Sequence, residues 1–189
     1  MVNVLIVGVG GQGSLLASRI LGTLYLNQGL DVKVSEVHGM SQRGGSVVTY
    51  VRAGEEIASP IIPVGEADII IAFEQLEALR WIHYLKKDGA VIYSKQEIAP
   101  MPVITGAAKY PEDIYGKIAK YPVKQVAIDA DKLALEAGNV KAANVVLMGA
   151  ASKILGGEDK IWQDALVANV PEKFLELNKK AFELGKNSH

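Results

Sequence analysis

No cysteine occurs in the 189 residues, and this absence removes disulfides, thiolate nucleophiles and Cys-ligated zinc or iron–sulfur clusters from the chemistry the chain can perform alone. Histidine is nearly as scarce. His38, His83 and His189 are far apart and form no tight His/carboxylate spacing, which argues against a dedicated transition-metal site. Neither sign of charge dominates: 20 basic and 21 acidic residues give a formal net charge of −1, and no basic run interleaves with aromatics. An extended phosphate-tracking surface, and hence nucleic acid as a partner, is not expected. No apolar run reaches the roughly 18 residues that a membrane-spanning helix needs. The apolar start at Val2 lacks the basic region of a signal peptide and runs directly into glycines, so it is read as a core strand and the chain as cytoplasmic. Aromatics are few as well, at 6% against 49% hydrophobic residues. The apolar mass is therefore mostly Val, Ile, Leu and Ala, which suits a buried, mostly parallel sheet between helices better than an all-β sandwich. The length fits one domain over residues 1–189.

Local patterns give an α/β order. Val2 to Val7 is a short apolar run ending at Gly8, as in a strand buried on both faces. Gly13 to Gln28 carries Leu15, Leu16, Ile20, Leu24 and Leu26 near helical spacing, with Gly29 as C-cap. Asp31 to Val37 alternates with period two, and the crossover rule predicts it as a parallel neighbour of the first strand. A polar glycine-rich loop from His38 to Gly45 precedes a β-favouring run, Ser46 to Arg52. Further strands are predicted at Ala67 to Phe73, Ala90 to Ser94 and Val123 to Ile128, with a helix from Glu74 to Leu85 closed by Lys87-Asp88-Gly89. Pro111 to Ala119 is read as a short helix, and Asp129 as the N-cap of Ala130 to Ala137. The last third is helical: Ala142 to Leu155, apolar nearly all round, then Ile161 to Ala168 and Glu172 to Leu184, with Pro171 in the first turn of the latter.

Gly8-Val9-Gly10-Gly11-Gln12-Gly13 satisfies G-x-G-x-x-G between a predicted strand and a predicted helix, the context in which that weak pattern is informative. Glycines allow close backbone approach, and free N–H groups at a helix start favour a phosphate or pyrophosphate. Glu36, near the end of the second strand, stands where a dinucleotide site places its ribose-binding acid, so an NAD(P)- or FAD-binding oxidoreductase domain is one reading. The plainer reading is close packing of helix on strand, which gives Gln12 no role; under the ligand reading its amide meets a ligand or partner. A non-catalytic interaction module is a third reading, resting on Ala142 to Leu155 as a docking surface, although core packing explains that helix equally well.

The loop His38-Gly39-Met40-Ser41-Gln42-Arg43-Gly44-Gly45 holds more polar specificity than a connector needs. Arg43 can pair a carboxylate or phosphate, with Gly44-Gly45 amides beside it, or can simply extend into water. His38 is read as a surface histidine without general-base work. No catalytic acid/base set is evident.

With VLIVGVGGQGSLLASRILG, GLDVKVSEVHGMSQRGGSVVTYVR, IIAFEQLEALR and the ANVVLMGAASKILG helix, the chain resembles, over most of its length, the gamma-type subunit or domain of 2-oxoacid:ferredoxin oxidoreductases, most closely the indolepyruvate type. That resemblance implies a Rossmann-like, doubly wound, mostly parallel α/β sheet with a helical C-terminal third. It implies an enzyme that oxidatively decarboxylates an aryl 2-oxoacid to an acyl-coenzyme A and reduces ferredoxin. Thiamine diphosphate, magnesium and the iron–sulfur clusters would sit on a large partner subunit, coenzyme A would be a substrate, and ferredoxin would be reached through the complex. Association with further copies of the chain is left open. Gly8, Gly10, Gly11, Gln12, Gly13, Ser41, Gln42, Arg43 and Gly44 would then form the ligand- or partner-binding face, holding a pyrophosphate or lining a shared cleft.

Overall fold

The computed structural model describes residues 1–38 and 45–189, so Ser41, Gln42, Arg43 and Gly44 lie outside the described residues. Strand β1 runs from Val2–Val9 and is buried from Asn3 onward. Its continuous apolar character follows from cover on both faces: Val4 and Ile6 enter one core, Leu5 and Val7 the other. Helix α1 (Ser14–Leu26) follows the glycine turn, then β2 (Asp31–His38) and β3 (Ser46–Gly54). Next come β4 (Ala67–Ala72), α2 (Gln75–Trp81) and β5 (Leu85–Ser94). Short helices α3 (Met101–Ile104) and α4 (Ile114–Ile118) lead to β6 (Lys124–Ile128). The chain ends in α5 (Ala130–Ala137), α6 (Ala143–Leu155), α7 (Asp159–Asn169) and α8 (Leu175–Lys186). Asp129 caps α5 as expected, accepting the Lys132 N–H at 3.2 Å.

The described strands form one sheet in the order β2-β3-β1-β4-β5-β6. β1, β4, β5 and β6 are parallel neighbours, while β3 is antiparallel to both β1 and β2. The second strand is thus not the neighbour of the first, contrary to the crossover expectation, although two antiparallel steps leave it pointing the same way. The short connection of residues 39–45 suffices for a hairpin but not for a parallel crossover. Burial chooses the order. β3 is buried along most of its length and takes the interior position, whereas β2, with Lys33 and His38 exposed, blunts the edge with charge.

A second departure concerns the helix predicted over Glu74 to Leu85. α2 stops at Trp81, a 3₁₀ turn covers Ile82–Tyr84, and β5 already begins at Leu85. Leu85 pairs with Ala67 and the register then shifts, so Lys87-Asp88-Gly89 is a bulge inside the strand rather than a terminator. Asp88 has φ 63, and its N–H donates to Pro122 O at 3.1 Å.

α1, α5, α6, α7 and α8 cover one face of the sheet, and α2 and α4 the other. α6 is the deepest element. Asn144 to Ser152 are all buried, against α8, α5 and β5 of the same chain, which removes this helix as an exposed docking surface. Among the described residues, no helix is long and apolar enough to cross a membrane.

Candidate functional site

β1 turns into α1 at the carboxyl edge of the sheet, beside the parallel ends of β4 and β5 and the antiparallel start of β3. Gly11 and Gly13 take φ 96 and 90, the left-handed region where a side chain is strained. A Cβ on Gly8 would lie 2.8 Å from Gln12 Oε1 and 3.2 Å from Phe73 Cβ. The first and third positions of the motif are therefore glycine for physical reasons. The glycine turn, the end of β2 and the start of β3 lie at one edge. Val9 pairs with Ser46, His38 with Val47, and Gly10 N–H donates to Gly45 O at 3.0 Å.

Gln12 holds the turn together. Its Oε1 accepts the Val9 N–H at 2.7 Å, and its Nε2 donates to Phe73 O at 3.0 Å and to Gln96 Oε1 at 2.6 Å. The side chain thus ties the ends of β1 and β4 to the segment after β5. The packing reading, which left this residue idle, missed that role. Glu36 is likewise engaged within the chain: its Oε2 accepts hydroxyls from Ser14 and Thr49, each at 2.8 Å, and its Oε1 lies 2.7 Å from His38 Nε2. The acid on which a dinucleotide reading depends is already bonded to the start of α1.

A cavity of about 400 Å³ opens beside the turn, between Gly11 and Gly13 on one side and Ser94, Gln96 and Asp131 on another. Lys141, in the 3₁₀ turn before α6, and Asn144, in the first turn of α6, close it. This is where an open α/β sheet reverses its winding, β1 leading to helix α1 on one face and β4 to α2 on the other. Asn144 Nδ2 donates to Gly13 O at 3.3 Å, so α6 braces the turn directly. Burial, with Asp129 as a like-charged neighbour, raises the Asp131 carboxyl above the usual carboxylate range, against a hydrogen bond to Gln96 that lowers it. Lys141, Asp131 and Asn144 were not among the expected site residues. Their one signal is that the C-terminal helices must return over β1, and a pattern read locally does not carry that.

On the other side of the turn a cavity of about 230 Å³ is lined by Gly45, Ser46, Glu74, Glu77 and Arg80. Glu77 accepts from the Ser46 hydroxyl at 2.5 Å, Arg80 Nε at 3.1 Å and Trp81 Nε1 at 3.3 Å. Glu74 caps α2, accepting the Glu77 N–H at 2.8 Å, the Ile98 N–H at 3.2 Å and the Tyr110 hydroxyl. Burial raises the Glu74 carboxyl above its ordinary value in spite of these donors. The unfolded chain therefore gives up this proton at lower pH than the folded one. Stability is expected to fall as pH rises from the ordinary carboxyl value through the higher folded value, and to be flat in this respect above it. Urea midpoints measured against pH should show that fall for the wild type and a smaller one for Glu74→Gln; parallel curves would contradict it.

Residues 3–188 match the family model of pyruvate ferredoxin/flavodoxin oxidoreductase. The chain belongs to that family. Among curated relatives, indolepyruvate oxidoreductase subunit IorB of Thermococcus kodakarensis is 48% identical over 189 residues, 97% of this chain and 93% of that one. IorB of Archaeoglobus fulgidus is 40% identical, covering 98% of this chain and 94% of its own. The gamma subunit of keto/oxoacid ferredoxin oxidoreductase from Geobacter sulfurreducens shares the fold at a TM-score of 0.74 and 23% identity, over 98% of this chain and 96% of that one. The 2-oxoglutarate:ferredoxin oxidoreductase of Magnetococcus marinus contains the same fold, TM-score 0.72, within 30% of its chain. The sheet of the pyruvate ferredoxin/flavodoxin oxidoreductase family is therefore the one built here: mostly parallel, with a single reversed strand and a helical C-terminal third.

The sequence has no thiolate to offer an iron–sulfur cluster. Among the described residues, no three His, Cys, Asp or Glu side chains converge as a metal site.

Proposed function

We propose that this chain is the small subunit of an indolepyruvate, or related arylpyruvate,:ferredoxin oxidoreductase. The enzyme cleaves the bond between the carboxylate and the oxo carbon of its substrate, releases carbon dioxide, joins the acyl group to the sulfur of coenzyme A, and passes the electron pair to ferredoxin. The observation that carries this reading is the end-to-end likeness to IorB, 48% identical along 97% of the chain. Its 189 residues act as a single cytoplasmic domain, with neither nucleic acid nor membrane as partner.

Thiamine diphosphate, magnesium and the clusters belong to a large partner subunit, through which ferredoxin is reached. The lack of thiolate ligands supports that division, as does a solved relative in which this fold makes up 30% of a longer chain. Gly8, Gly10, Gly11, Gln12 and Gly13 give this chain's contribution to the shared cleft, with Ser41, Gln42, Arg43 and Gly44 completing it from the adjoining loop. The bond from Gly10 to Gly45 supports their placement at one edge. No redox step is assigned to a side chain of this subunit.

The test is reconstitution. The large subunit alone should oxidise indolepyruvate poorly, addition of this chain should restore coenzyme A-dependent reduction of ferredoxin, and Arg43→Ala should lower that turnover. Full activity without the chain, or with Arg43→Ala unchanged, would refute the assignment.

A further inference from the structure

Gln96 lies just beyond the end of β5 and reaches the glycine turn with its side chain. Its own backbone is held on both sides. The Gln96 N–H donates to Ser94 Oγ at 3.2 Å, and its carbonyl accepts the Gln75 N–H at 3.2 Å. A little further along, the Ile98 N–H is fixed 3.2 Å from Oε1 of the buried Glu74. The segment therefore presents the Gln96 amide from a fixed base, as a side chain that supports a site must be presented.

The direction of the contact follows from what the backbone offers. Gln12 Oε1 takes the Val9 N–H, a donor, while Gln12 Nε2 faces Phe73 O, which can only accept. Turning the Gln12 amide round would set donor against donor and acceptor against acceptor. The remaining Nε2 hydrogen needs an acceptor, and Gln96 Oε1 supplies one at 2.6 Å. That contact orients the Gln96 amide in turn, because its Nε2 is then the half left to donate to Asp131, in the first turn of α5. Three side chains thus run head to tail from the Val9 N–H to the Asp131 carboxylate, along the wall of the cavity that all three line.

We propose that Gln96 is a positioning residue for the reaction of the complex. Acting through Gln12, it holds the glycine turn in the geometry in which the turn lines the shared cleft, and Asp131 fixes which end of the Gln96 amide faces Gln12. The proposal rests on the subunit reading above and adds to it a residue outside both glycine-rich segments. Without Gln96, Gln12 keeps its two backbone bonds, so the turn still forms. What is lost is the tie that stops it moving against β5 and α5, so the cleft should suffer where folding does not.

Steady-state kinetics of the reconstituted complex test it. Coenzyme A is the substrate to follow, since the oxoacid is held by the thiamine-bearing partner. Gln96→Met, close in shape but lacking the acceptor, should raise the KM for coenzyme A about threefold to tenfold, the worth of one hydrogen bond, with kcat little changed. Gln96→Glu keeps an acceptor for Gln12 but sets its second oxygen against the Asp131 carboxylate, so its KM should rise as well. Asp131→Asn added to Gln96→Glu returns a donor to that contact and should bring KM back to within about twofold of the wild type, whereas added to Gln96→Met it should not. Packing alone gives no rescue that depends on the sign of the contact, and the rescue decides the matter even where a single variant is less stable. An unchanged KM in Gln96→Met, or the same effect of Asp131→Asn in both backgrounds, overturns the proposal. Every variant should co-elute with the large subunit. Failure of the wild type to do so bears on the subunit reading, while an unchanged KM in an assembled complex bears on Gln96 alone.

Discussion

Gly185→Ala is expected to destabilise the chain by about 3 kcal/mol or more, the top of the range for overpacking. α8 crosses α6 so closely that a Cβ on Gly185 would lie 1.8 Å from the Val146 carbonyl oxygen and 3.0 Å from its Cα, while one on Gly149 would lie 1.9 Å from Phe182 O. These neighbours are backbone, so no rotamer change relieves the overlap. One helix would have to move off the other, and α6 is already packed against the sheet through Val145 and Met148. Against a total stability of about 5–15 kcal/mol, that is a large share. Gly22→Ala provides the control: it lies inside α1 with nothing within 4 Å of the added methyl, and should stabilise by about 0.5–1 kcal/mol. Equilibrium urea denaturation of both variants checks the pair, and similar midpoints would contradict the close crossing.

Gly13→Ala is expected to injure fold and site together. At φ 90 a non-glycine residue is strained by about 1–3 kcal/mol, and its Cβ would lie 2.3 Å from Asn144 Nδ2. Asn144 is only 6% exposed, with Oδ1 accepting the Val145 N–H at 2.9 Å, so turning it away breaks that bond and the one to Gly13 O. Leaving such groups unmatched adds about 1–3 kcal/mol. The methyl also enters the cavity and tilts the start of α1, so turnover of the reconstituted complex should drop at temperatures where the variant remains folded. Gly10→Ala, whose added carbon meets only Gly45 O at 3.9 Å and Val47 Cγ2 at 4.0 Å, should change folding stability by no more than about 0.5 kcal/mol. Equal stabilities for the two variants would show that the turn is not braced by α6.

The strand–turn–helix unit was readable locally because β1, Gly8 to Gly13 and α1 are contiguous and each uses its own pattern: a doubly covered apolar run, glycines at required dihedrals, and a 3.6-residue period. Pairing was not readable in the same way. β2 alternates as a strand should, yet its edge position depends on β3 being the more apolar of the two, and on a connection too short for a crossover. The α2–β5 junction failed for a related reason: Leu76, Leu79, Ile82 and Leu85 continue a helical stripe, but Leu85 is held by its pairing with Ala67. In the site, glycine placement followed from the motif. Gln12 and Asn144 required the fold, since Gln12 reaches Gln96 and Asn144 reaches Gly13 across 84 and 131 residues of sequence.

On the reading proposed above, this chain completes an oxidoreductase whose cofactors lie on another polypeptide. Co-expression with the large thiamine-dependent, cysteine-rich subunit followed by gel filtration tests it most directly. One peak containing both chains, with the iron–sulfur absorbance and the thiamine diphosphate in it, is the predicted result. Two separate peaks, each well folded, would contradict it.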